Sequence, residues 1–127
     1  MPNLAGQWWH LAALLQPLAG FLCTCGQKLK AERMVKHIVM WNLHNPADAL
    51  SVKAELDSCN HLVDGMLAFE VGIRAEGLEA NCDVVLYASF SNREVLAAYQ
   101  VHPHHQQVSQ RIGLLRSQRW VLDYDHS

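Results

Sequence analysis

"KHIVMWNL", residues 36–43, decides how the rest of the chain is read. The stretch is dense in β-branched and aromatic residues, and apolar side chains fall on both of its alternating faces. His37, Val39, Trp41 and Leu43 share one face; Ile38 and Met40 share the other. A strand of this kind is buried twice. One side must lie under helices, and the other must meet a second layer.

Downstream, Asn45-Pro46 is a capping residue followed by proline at a first helical position. Val52, Leu56, Cys59 and Val63 recur at i, i+4, i+7 and i+11, the stripe of an amphipathic helix that Asp64-Gly65 ends with a turn. "MLAFEVG" (66–72) reads as a second strand, 74–81 as a polar loop, and "CDVVLYASF" (82–90) as a third strand. Ser91 to Glu94 has the S-x-x-E form of a capping box, opening a helix that reaches about Tyr99. Pro103 interrupts it. A further helix carries Val108, Ile112 and Leu115, with Gly113 weakening its last turn, and "RWVLDYD" (119–125) is the last strand.

The resulting order, β-α-β-β-α-(α)-β, predicts an α+β, ferredoxin-like domain with a four-stranded antiparallel sheet. Helices on one side leave the other sheet face open. Ile38, Met40, Val85 and Tyr87 make that face apolar. It must be covered, and the simplest cover is a second copy, giving a dimeric α+β barrel.

Composition narrows the function. The chain has 127 residues, enough for one modest core, and is half hydrophobic and 17% charged. Ten Lys and Arg stand against twelve Asp and Glu, and no basic run appears, so nucleic acid has no electrostatic footprint. Cysteines at 23, 25, 59 and 82 lack the C-x2-C pairs of a zinc site and fit a reduced, cytoplasmic chain.

Residues 1–33 differ from the rest. They hold two of the four tryptophans, and their apolar run is interrupted by His10, Gln16, Pro17 and Gly20. It is poorly made for a membrane span and lacks the basic start of a secretory signal. Two readings stand: sequence upstream of a start at Met34, or a weakly ordered extension with a peripheral, interfacial helix. In neither does it carry chemistry. The domain is expected at 34–127.

"AAYQVHPHHQQV" (97–108) concentrates three histidines, a tyrosine and a proline. His102 and His105 supply only two ligands around a proline, so no metal site is expected. Together with "VKHIVMWNL", "GMLAFEVG", "CDVVLYASF" and "VLDYD", this segment resembles the stress-responsive A/B barrel family over about residues 34–125. The most specific parts are the K-H near the start of strand one and Y-x-x-H-P-x-H. The resemblance implies a dimeric α+β barrel without a cofactor. A plant branch of the family comprises polyketide cyclases with a pocket between sheet and helices. Its histidine on strand one, its tyrosine and histidine of the Y-x-x-H-P-x-H segment, and its histidine on strand three fall here on His37, Tyr99, His105 and Val84. The valine departs from that pattern, so the cyclase reaction itself is not carried over.

The expected site therefore has His37, Tyr99 and His105 as acid–base or carbonyl-polarising groups. Val84, Leu86, Trp41 and His102 are expected beside a small apolar or carbonyl-containing ligand, with His104 turned to solvent. A purely structural alternative has His37 hydrogen-bonding Tyr99 to satisfy two buried polar groups. Function then divides between a stress-associated binding module and a cofactor-independent cyclase, lyase or monooxygenase-like enzyme.

Overall fold

The computed structural model describes residues 32–127. The readings made for residues 1–31 lie outside the described residues. Four strands, β1 (Met34–Leu43), β2 (Met66–Ile73), β3 (Val84–Phe90) and β4 (Arg116–His126), form one sheet in the order β2-β3-β1-β4. Every neighbouring pair is antiparallel, as the ferredoxin-like reading requires. The helices are α1 (Ala49–Asp57), α2 (Arg93–Val101) and α3 (Pro103–Leu115).

The double-sided reading of β1 holds. Val35, His37, Val39, Trp41 and Leu43 are buried under the helices, in alternation with more open residues. Leu86, Ala88 and Phe90 of β3 join them, and Val52, Leu56, Val108 and Ile112 close the core from α1 and α3. On the opposite face, Met40 lies beside Val85 and Trp120, and Ile38 beside Tyr87 and Leu122. Met40 is 38%, Trp120 44% and Leu122 62% exposed in the single chain. That is a contiguous apolar surface.

Several boundaries differ from expectation for local reasons. α1 is preceded by a 3-10 turn, Pro46–Asp48, capped by Asn45, whose side-chain oxygen accepts from Ala47 N at 3.1 Å. The helix ends at Asp57, not near Asp64. There Ser58 Oγ donates to Glu55 O (2.6 Å), and His61 adopts a positive φ of 64°. A side chain that bonds its own turn and a left-handed residue both oppose helix continuation. Cys59 remains fully buried although it lies beyond the helix. Gly65 closes the turn at φ +94°, where a Cβ would sit 2.8 Å from Ser91 Oγ. Only glycine suits that position.

The cap of α2 is Asn92, whose oxygen accepts from Val95 N at 2.9 Å, and not Ser91. Ser91 is held elsewhere: its N–H donates to Gly65 O at 2.9 Å. His102 is extended (ψ 132°), as a residue before proline prefers, and Pro103 opens α3 as its first residue. α3 continues through Gly113 to Leu115.

β4 starts at Arg116, three residues before the expected strand, and carries an irregularity there. Gln118 pairs with Asn42, but Leu43 pairs with Arg116, so Ser117 is the extra residue of a β-bulge. No helix among the described residues is long and apolar enough to cross a membrane.

Candidate functional site

His37 lies mid-strand on the helix side of β1, 3% exposed. Its direct antiparallel partner on β4 is Asp123. Side chains directly opposite on one face come within reach of each other, and His37 Nδ1 bonds the Asp123 carboxylate. An ionised carboxylate only accepts, so Nδ1 carries the hydrogen. In the neutral ring Nε2 is then the lone-pair nitrogen, free to take a proton. Asp123, its side chain 35% exposed, fixes both tautomer and ring orientation. The hydrogen bond from His37 to Tyr99 expected of a purely structural pair is absent.

Tyr99 is fully buried on α2, its ring 5.1 Å from that of Phe90 and 4.5 Å from that of His105. The His37 ring stands edge-on at 6.4 Å. Among the described residues the Tyr99 hydroxyl has no well-formed hydrogen bond, with only the Cys59 thiol beside it. Burial pushes its phenol well above the ordinary value, and the Cys59 thiol beside it adds to the shift, so it remains protonated.

His105 occupies the first turn of α3, where Nδ1 donates to the Gln100 carbonyl across the helix break (3.1 Å). That bond leaves its Nε2 as an acceptor. Burial lowers its pKa; the Gln100 bond opposes, while His37, Arg119 and His102 add to the lowering. His105 is therefore neutral at neutral pH.

These groups line a cavity of about 250 Å³ between helices and sheet. Of the seven expected site residues, His37, Trp41, Leu86, Tyr99 and His105 line it. Val84 and His102 do not. Val84 is buried at the end of the sheet, between Trp41 and Ile73 in register. His102 caps α3, its Nδ1 accepting from His104 N at 3.1 Å. His104 is half-buried instead of turned outward: its Nε2 meets Ser58 Oγ at 2.7 Å. Ser58 spends its hydrogen on Glu55 O, so the imidazole is the donor. The early end of α1 brings that serine to it.

Sequence reasoning missed Asp123, Gln100, Ser109, Arg116 and Arg119. Alternation from Trp120 would place Asp123 on the helix side, but its pairing with His37 needs the β1–β4 register. Among the described residues no three His, Cys, Asp or Glu side chains converge as metal ligands. The chemistry on offer is proton transfer: an oriented imidazole, a protonated phenol and a second, neutral imidazole within one small cavity.

Comparison with known proteins accords with this architecture. The family model described as Stress responsive A/B Barrel Domain matches residues 35–126. No curated protein matches the chain. A dimeric protein of unknown function with a ferredoxin-like fold from Bacteroides fragilis is 25% identical, over 73% of this chain and 96% of its own, with a TM-score of 0.62. A dimeric ferredoxin-like protein of unknown function from Thermobifida fusca is 17% identical, over 75% and 92%, with a TM-score of 0.67. A hydroxynitrile lyase from Passiflora edulis shares the fold at 13% identity, over 75% and 94%, with a TM-score of 0.63.

Proposed function

The chain belongs to the stress-responsive A/B barrel family, and from that premise we propose a homodimer, closed sheet to sheet, whose helix-side cavity takes a small carbonyl-containing molecule. Dimerisation is supported by the apolar open face built on Met40, Trp120 and Leu122, and by the dimeric relatives. Two such faces together remove large apolar side chains from water, at roughly 25 cal/mol per Å². Cys59 and Cys82 are free thiols, in keeping with a reducing, cytoplasmic setting. The natural domain is taken to begin near Met34.

A binding module would need only the cavity. One observation favours chemistry as well: His37, which lines the cavity, is bonded from behind to Asp123, which does not. Asp123 makes His37 Nε2 the base, and Tyr99 with His105 supplies groups to polarise or protonate a carbonyl oxygen. The reaction class is proton abstraction next to a carbonyl, without cofactor. Positioned general bases contribute roughly 10²–10⁴-fold to such steps.

Occupancy is tested by NMR titration with acetophenone. Signals of His37, Tyr99 and His105 should shift together and saturate, while those of His102, outside the cavity, stay put. Shifts confined to the outer surface, or none, would remove the cavity as a ligand site.

A further inference from the structure

Two exposed arginines stand at the cavity rim. Arg116 and Arg119 both line the cavity. Among the described residues, Arg74, Arg93 and Arg111 are paired with Asp83, Asp125 and Glu55, whereas no such ion pair engages Arg116 or Arg119. Among the described residues the lining contains no aspartate or glutamate, and Asp123 is already committed to His37.

Their arrangement depends on the backbone. In a regular strand, residues three apart point to opposite faces. The bulge at Ser117 adds one residue to β4, so Arg116 opposes Leu43 and Arg119 opposes Trp41. Leu43 and Trp41 both face the helices, and so do the two arginines. Without the extra residue, one guanidinium would lie on the opposite face of the sheet. A bulge commonly re-aims a side chain in this way beside a site.

Inward from these cations, Val39, Trp41, Leu86, Val108 and Ile112 supply apolar walls between the polar groups of the cavity. At about 250 Å³ it is smaller than the usual pocket for drug-sized ligands, about 300–1,000 Å³. We infer that it selects a small carboxylate with an apolar body, the head group held by Arg116 and Arg119 and the body seated against Trp41 and Leu86. Resting on the proposed carbonyl chemistry, the substrate class becomes an oxo acid, its carboxylate at the rim and its carbonyl toward His37 and Tyr99. A guanidinium fork matches a planar carboxylate through two parallel hydrogen bonds. Both arginines are exposed, so their attraction is screened by salt.

The test is calorimetric titration of the full-length protein with octanoate and with octanamide, equal in length and differing in charge. Wild type should prefer octanoate by about ten-fold, and the preference should shrink as salt is raised. The double variant Arg116→Gln/Arg119→Gln should lose that preference, its affinity for octanoate falling to that for octanamide. Equal affinities in wild type, or a preference that survives in the variant, would overturn the carboxylate assignment and leave the pocket standing. If neither compound binds at millimolar concentration, the pocket reading fails, and the assignment with it. A variant that no longer binds octanamide is perturbed in the cavity; Arg116→Lys/Arg119→Lys, which keeps the charge, must then retain the acid preference, and its loss counts against the inference.

Discussion

His37 and Asp123 meet because antiparallel pairing sets them directly opposite on adjacent strands, on the one sheet face that the helices cover. The bond determines which nitrogen of His37 can act. Asp123→Asn keeps the shape and replaces an obligate acceptor with a group that can also donate. Nitrogen-15 shifts of His37 should report the Nδ1–H tautomer in wild type and a mixture in the variant. Carbonyl α-proton exchange should fall at least about ten-fold. An unchanged tautomer would make Asp123 a bystander.

Tyr99→Phe separates stability from function. Among the described residues the hydroxyl is buried with only the weak Cys59 thiol beside it, and a buried hydroxyl left unsatisfied costs roughly 1–3 kcal/mol. Removing it should leave stability unchanged or raise it by up to about 1 kcal/mol, which is roughly 4–8 °C in Tm for a domain of this size. Exchange activity should drop at the same time. A marked fall in Tm would show that the hydroxyl is structurally satisfied.

His105 predicts an acid-side weakness. Its folded pKa lies below the ordinary 6.5, chiefly through burial, so the unfolded chain takes up this proton first. Stability from the group is fully present above 6.5 and is lost as pH falls through the lowered folded value. Between about pH 7 and pH 5 the wild-type Tm should fall more steeply than that of His105→Asn. Parallel calorimetric profiles would contradict the burial of His105.

Met40→Glu tests the assembly. Met40 sits between Val85 and Trp120 on the open sheet face. A glutamate there would bury an unpaired charge in the dimer at a cost of several kcal/mol. Sedimentation should show a wild-type dimer and a variant that dissociates. A folded, monodisperse wild-type monomer would end the sheet-to-sheet model.

Much of this architecture was legible in the chain. Alternation in residues 36–43 assigned His37 to the helix face and Met40 to the open one, and Pro103 marked the break beside Tyr99. What stayed hidden depended on pairing between distant residues. Asp123 carries no local mark; only the β1–β4 register brings it to His37. Period-two reasoning places Arg116 and Arg119 on opposite faces, and the bulge at Ser117 reverses that. His104 carries no local sign of its contact either: the chain turns at Ser58 and meets it. Val84 shares the helix face with Leu86 but lies beyond the cavity, a distinction of position along the strand that alternation does not make.

We propose that His37, oriented by Asp123, removes a proton next to a carbonyl. The direct measurement is the exchange of acetophenone methyl protons into D2O, followed by NMR with wild type and His37→Ala at equal concentration. Wild type should accelerate exchange over buffer by at least about 10²-fold, and His37→Ala, still folded, should lose most of the acceleration. Exchange at the buffer rate in wild type, or equal acceleration by both proteins, would contradict it.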